Sequence, residues 1–253
     1  MEVRISWRGQ WYGLDLSAAE DLSLFFHTGA GSARAWYCPP VQMNPVVMGS
    51  FVGSVARGGS VNFQNVQFNP HGNGTHTECV GHISVEAHRV LDCVRGLQGM
   101  ARLCTIQPRA QGNDEVLTLA DLQPILAEFQ GERHLIVRSL PNTEAKRERH
   151  YTQTNPPYFS LEAMQAIVAA GVEHLLVDLP SVDREEDGGA LAGHHCFWAH
   201  PQATASRLHC SITELIYVPN EIQDGWYWLD IQVAPFALDA SPSRPLLYAL
   251  KTV

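Results

Sequence analysis

Seven of the twelve histidines of this 253-residue chain, with two glutamates, gather in two short segments more than a hundred positions apart. The first runs from His71 through His76 and Glu78 to His82, and the second from Gly193, His194 and His195 through His200 and His209 to Glu214. Imidazole and carboxylate suit zinc, manganese or iron(II), so the grouping reads as a split metal site. Such a site demands a fold that carries both segments to one point.

The remaining composition limits what that fold serves. A chain of this length buries roughly 70 to 75 per cent of its unfolded surface and needs no staples to fold. The 15 prolines and 20 glycines indicate many turns between short elements. The net charge is 17 minus 26, or -9, and the one basic cluster, Lys146, Arg147 and Arg149, is interrupted by Glu148. Nucleic acid is therefore not an expected partner. The start lacks the apolar core of a signal peptide, and no stretch approaches the eighteen or so apolar residues of a membrane span. A cytoplasmic protein without membrane contact is expected. The six cysteines (Cys38, Cys79, Cys93, Cys104, Cys196, Cys210) show no CxxC spacing, so they read as small apolar core residues rather than disulfides or a structural zinc knuckle.

Along the chain the first third is β-rich. Residues 3–7 and 11–16 have strand character, and 62–68 alternates over seven positions before Pro70. A further strand is expected at 101–107. A helix follows Thr118, with apolar Leu119, Leu122, Ile125, Leu126 and Phe129. Because proline is tolerated in the first turn only, Pro124 places the regular start near Asp121. After a strand at 134–140, Ser160 caps a second helix that ends at Gly171, and a strand at 174–178 follows. Two helix-to-strand units in succession predict an α/β fold, a mixed sheet with packed helices, in a single domain over 1–253. Strands return at 211–218 and 226–233, with Pro235 and Pro242 bounding a final loop. The longest irregular stretches are 29–44, 141–157 and 181–193, and loops of that length are often functional. Residues 27–31 resemble a phosphate loop only superficially, since the lysine and the helix are missing.

The segment 71–82 has its own chemistry. His76 and Glu78 are two apart, which in extended chain puts both side chains on one side. Glycines at 72 and 74 let the backbone curl so that His71 folds back as a third ligand, leaving His82 as a candidate general acid or base. Glu214 interrupts the apolar run of Ile212, Leu215, Ile216 and Tyr217, and a carboxylate there is costly unless paired or bound to metal. Cys79 should point away from the metal, and His200 and His209 read as surface or supporting histidines.

These residues carry a resemblance. Gly74-Thr75-His76, Glu78 and His82 are similar in register to the HxGTHxDxPxH signature of the cyclase family of metal-dependent hydrolases, which includes bacterial kynurenine formamidases. Asp15-Leu16-Ser17, the run from Asp178 to Asp183 followed by Gly193 and His194, and Ile212 to Leu215 match further blocks in the family's order. The resemblance implies a swivelling β/β/α fold and one or two divalent ions, zinc or manganese, per chain. It implies that His71, His76 and Glu78 hold the first metal, that Glu78 and Glu214 bridge to a second completed by His194, and that His82 shuttles protons. His195 is the alternative to His194 as ligand. Trp36 sits where members carry a pocket-lining tryptophan. A homodimer or homotetramer and a small-molecule substrate are also implied.

Three departures stand out: one extra residue between the first two histidines, Glu78 in place of aspartate, and Val80 in place of proline. The first two are expected to compensate, a longer carboxylate reaching back toward a displaced backbone. The implied activity is hydrolysis of an amide or formamide by metal-activated water, as in arylformamidases. The alternative is a non-catalytic small-molecule binder on the same fold, its metal geometry lost through these changes.

Overall fold

The structure, a computed structural model, describes residues 1–29, 31–201 and 207–252. Seven strands build its centre: β1 (His76–Glu78), β2 (Gln98–Ile106), β3 (His134–Ser139), β4 (His174–Val177), β5 (Ser211–Glu214), β6 (Gly225–Val233) and β7 (Ala240–Ala249). They run in the order β6-β2-β3-β4-β5-β1-β7, and β7 pairs back onto β6, so the sheet closes into a barrel. Closure leaves these strands without a free edge. The short strand Glu20–Asp21 adds to the outside of β7.

Strands β2 to β5 are parallel, and the remaining pairings are antiparallel. Parallel neighbours need crossover connections. Helices α1 (Leu119–Ala127) and α2 (Leu161–Ala169) supply them before β3 and β4. Ser160 caps α2 by accepting the Ala163 amide at 3.2 Å, and Gly171 at φ +83° ends it. Along β3, Leu135 and Val137 pack with the helices around Leu122, Met164 and Ile167, while Ile136 joins Leu103, Leu176, Leu229 and Leu247 on the opposite face. A strand buried on both faces reads as an unbroken apolar run, which explains the pattern at 134–140.

The structure corrects several expectations. Helix α1 begins at Leu119 with Pro124 inside it, because a capping box of Thr118 and Asp121 fixes the first turn, with the Thr118 amide donating to Asp121 at 3.1 Å. The loop expected between Pro235 and Pro242 is present at 234–239 but ends earlier, because the ten-residue strand β7 starts at Ala240 and carries Pro242 and Pro245. Their carbonyls still accept hydrogen bonds from Ala234 and Leu22, so each proline costs the ladder only a donor. A third helix, α3 (Ala192–Trp198), takes the residues after the loop 181–193. The strand in 62–68 is Gln64–Gln67, paired with Gln42–Pro45 in a separate two-stranded ribbon that is exposed except at Pro45. Among the described residues no helix is long and apolar enough to cross a membrane.

Candidate metal centre

Strand register brings the distant segments together. Strand β1 lies between β5 and β7, with Glu214 opposite His76 and Ala240 opposite Glu78. Thr75 locks the entry to β1: its hydroxyl accepts the Leu24 amide at 2.7 Å and donates to the Leu215 carbonyl. Gly74, at φ +147°, has a backbone that a Cβ would drive into the Phe26 ring and the Leu24 carbonyl. The Gly-Thr pair before His76 is therefore a requirement of close backbone approach. The extra residue between His71 and His76 is accommodated by Gly72, which lies against Cys38 with no room for a side chain.

Three imidazoles converge on two carboxylates. Each has one nitrogen facing an outer oxygen that can only accept, so that nitrogen carries a proton; in His71 and His194 the other nitrogen faces Glu78, where either a second proton or an ion must sit. His76 Nδ1 donates to the Gly74 carbonyl at 3.1 Å, His194 Nδ1 to Asp183 at 2.6 Å, and His71 Nε2 to Asp239 at 3.0 Å. The second nitrogens point inward. His71 Nδ1 is 3.1 Å from Glu78 Oε2 and His194 Nε2 is 3.1 Å from Glu78 Oε1, while His76 Nε2 is 3.5 Å from Glu214 Oε2. His194 Nε2 also stands 3.8 Å from Glu214 Oε1. His82 is looser, its Nε2 3.9 Å from Glu78 Oε2.

This donor set fits a divalent metal ion. His76 Nε2 is buried without a hydrogen-bond partner, although a buried ring nitrogen normally has one. Two ligands on a tetrahedral ion with bonds of about 2.1 Å stand about 3.4 Å apart, and the 3.1 to 3.8 Å separations bracket that span. Two overlapping groups, His71 with Glu78 and His82, and His76 with Glu78 and Glu214, have ligand atoms close enough to share an ion. Glu78 belongs to both.

The electrostatics agree. Burial opposes ionisation of Glu78, yet the charge of His82 and hydrogen bonds from His194 and His71 outweigh it and hold the carboxyl well below its usual range. Burial and the neighbouring Glu78 charge push Glu214 up. Burial likewise opposes protonation of His71, but its bonds to Asp239 and Glu78 raise it to about 10, and His194 is raised for the same reason by Asp183 and Glu78. Glu78, Asp183 and Asp239 concentrate negative charge that protonated His71 and His194 offset here, and that a bound cation would offset in place of those protons.

A cavity of ≈ 340 Å³ opens onto His71, His82, His194 and Glu214, and its walls include Trp36, Cys38, Leu191, Ser181 and Arg184. Its lining includes unusual backbone. Trp36 (φ +59°) and Leu191 (φ +43°) are left-handed, as are Tyr37 (φ +56°) next to Trp36 and Leu215 (φ +53°) next to Glu214. Non-glycine residues in that region cost roughly 1 kcal/mol or more each and gather at ligand sites. Arg184 is held by Asp114 at 3.1 Å.

The structure thus brings together His71, His76, Glu78, His82, His194 and Glu214, with Trp36 in the wall of the same cavity. His195 turns away, its Nδ1 donating to the His200 carbonyl at 2.8 Å, so of the two neighbours it is His194 that faces the cluster. His209 faces Glu173 at 3.5 Å, and Cys79 packs with Val90 and Val94. Position 30 of the phosphate-loop-like run lies outside the described residues. Sequence reasoning missed Asp239 altogether and gave Asp183 no role. Asp183 accepts the amides of Gly193 and His194 at 2.6 and 3.0 Å, so it fixes the start of α3 and the His194 ring at once. The signal was available in the spacing of an aspartate ahead of a helix.

A family model described as "Putative cyclase" matches residues 15–184. Among curated proteins none matches. Among solved structures, a predicted metal-dependent hydrolase from Bacillus stearothermophilus superposes with a TM-score of 0.63 at 14% identity, over 91% of this chain and 98% of that one. Isatin hydrolase A from Labrenzia aggregata, bound to benzyl benzoate, gives 0.66 at 13% identity, over 92% and 94%. Isatin hydrolase A from Ralstonia solanacearum gives 0.61 at 14% identity, over 92% of each chain. These likenesses establish the shared fold.

Proposed function

This chain belongs to the cyclase family, and on that premise we propose that it is a metal-dependent hydrolase of a carbon–nitrogen bond, an amide or formamide, in a small aromatic or cyclic substrate, acting like an arylformamidase. The observation that carries the reading is the set of three imidazoles, each with one nitrogen committed to an outer acceptor and the other turned toward Glu78 or Glu214. The structurally similar isatin hydrolases are named for a cyclic amide, which supports the bond type.

In this reading His71, His76, Glu78, His194 and Glu214 hold one or two zinc or manganese ions. A divalent ion bound there lowers the pKa of water toward neutrality and polarises a carbonyl oxygen. The chain's own groups do the rest. His82, partly exposed and lining the cavity, delivers a proton to the departing nitrogen. Trp36 offers a flat wall to an aromatic substrate, with Leu191 among the other apolar residues of the cavity. Asp183 and Asp239 keep His194 and His71 in the required tautomer. The binder alternative rested on metal geometry lost through the extra residue and Glu78, and the 3.1 Å approach of His71 to Glu78 speaks against that loss. A cytoplasmic location suits the six unpaired cysteines.

The test is elemental analysis of protein purified without chelator, beside His76→Ala and Glu214→Ala. About one or two zinc or manganese ions per chain, lost in both variants, and turnover of formanilides or isatins by the parent are the expected results. A parent that takes up neither metal sinks the proposal.

A further inference from the structure

Asp239 stands one imidazole away from Glu78. Its Oδ2 is 3.0 Å from His71 Nε2 and 3.7 Å from His82 Nδ1. At the other end of the same two rings, Glu78 Oε2 is 3.1 Å from His71 Nδ1 and 3.9 Å from His82 Nε2. The rings lie side by side, with centroids 4.3 Å apart and planes tilted by 32°. A single oxygen of Asp239 and a single oxygen of Glu78 therefore bracket both histidines.

The two ends of that bracket differ in role. The two nitrogens of an imidazole point in diverging directions, so an ion at the Nδ1 side of His71 cannot also meet Asp239 through Nε2. Glu78 is on the ion's side and Asp239 is behind the rings. An acceptor in that position fixes which nitrogen carries the proton, fixes the ring's rotation, and makes the opposite nitrogen a better ligand. The placement is built in at the backbone as well. Ala240 pairs with Glu78, and the Asp239 carbonyl accepts the Cys79 amide at 3.0 Å, so Asp239 is tied to the residue that follows Glu78.

We propose that Asp239 is a positioning residue of the metal centre, holding His71 with Nδ1 turned to Glu78 and keeping His82 alongside it through the same carboxylate oxygen. The proposal rests on the metal-dependent reading above and adds to it a residue that never touches metal or substrate. Asp239 acts through two histidines at once, so its loss weakens metal binding through His71 and slows turnover through His82.

Cobalt(II) is the probe, titrated into metal-free parent, Asp239→Asn and Asp239→Ala, with affinity read by chelator competition and ligand geometry by the visible spectrum. Asp239→Ala is expected to bind cobalt roughly 10- to 100-fold more weakly than the parent. Asp239→Asn keeps an oxygen that accepts from His71, so it should recover part of that loss and a parent-like spectrum. With metal saturating, kcat should fall in both variants while KM holds. Variants that match the parent in cobalt affinity and spectrum overturn the proposal. Equal losses in both, in step with an equal fall in melting temperature, assign Asp239 to the fold alone and also overturn it. A parent that binds no cobalt overturns the metal-dependent reading itself, and that outcome is distinguishable because no variant is needed to see it.

Discussion

Glu78 is addressed by three histidines, His71 and His82 from its own segment and His194 from the distant one, and its length is what allows this. The loop before β1 carries one residue more than the family signature, and Gly72 presses that loop against Cys38. A side chain one methylene longer than aspartate then reaches His71 and His194, each at 3.1 Å. Glu78→Asp draws the carboxylate back by about 1.5 Å, out of contact with at least one ring. Metal affinity should fall by roughly tenfold or more, with the far-ultraviolet circular dichroism unchanged, and chelator competition on the two proteins checks this. Local spacing made His76, Glu78 and His82 legible in the sequence, and the cost of a carboxylate in an apolar strand made Glu214 legible. Asp239 was not, because an aspartate between a leucine and an alanine has no periodicity to betray it. Only the pairing of Ala240 with Glu78, a contact across more than 160 positions, gives it a neighbour.

At the ends of β3 and β4, His134 and His174 face each other in register and stack at 4.7 Å with an interplanar angle of 25°. Burial lowers His134 to about 4 and His174 to about 3, since neither ring can take a charge there without losing water. Unfolded, each titrates near 6.5. The folded form prefers the neutral ring, so the stabilisation is complete above about pH 6.5 and drains as the pH falls from there toward 4 and 3. Between pH 7 and 5 each histidine should cost about 2 kcal/mol. His174→Leu should remove about one such share, and urea denaturation of both proteins at the two pH values measures it. An unchanged slope would count against the neutral pair. The parallel strands were readable because a double-sided burial leaves unbroken apolar runs, and the helix following Ser160 because a cap, a stripe and a glycine agree. Strand β7 was not foreseen, because Pro242 and Pro245 look like breakers although their carbonyls still accept hydrogen bonds from Ala234 and Leu22.

Beside the closed barrel lies an arm, a ribbon of two short two-stranded sheets. The arm spans residues 41–68, of which only Arg57 is charged in a chain of net charge -9. Val47, Met48, Phe63 and Val66 are each half or more exposed there. A ribbon with open strand edges, exposed apolar side chains and a single charge suits a second copy of the same arm, because two such surfaces meet with little like-charge repulsion. The homodimer or homotetramer implied by the family resemblance would form there. Light scattering should give two or four times 28.0 kDa, and Met48→Glu with Phe63→Glu should return the mass to that of one chain. The arm was half legible: the alternation at 62–68 marked a strand, but alternation cannot say whether the apolar face meets the chain's own core or another molecule. The left-handed residues around the cavity have a different consequence, for the paths open to sequence change. Positions 36, 37 and 191 admit glycine, asparagine or unbranched side chains far more readily than valine, isoleucine or threonine, whose branched Cβ clashes in that region. Drift there is thus channelled: the wall can be enlarged, trimmed or made polar, but it is closed to the small branched residues that would otherwise be the easiest neighbours of leucine.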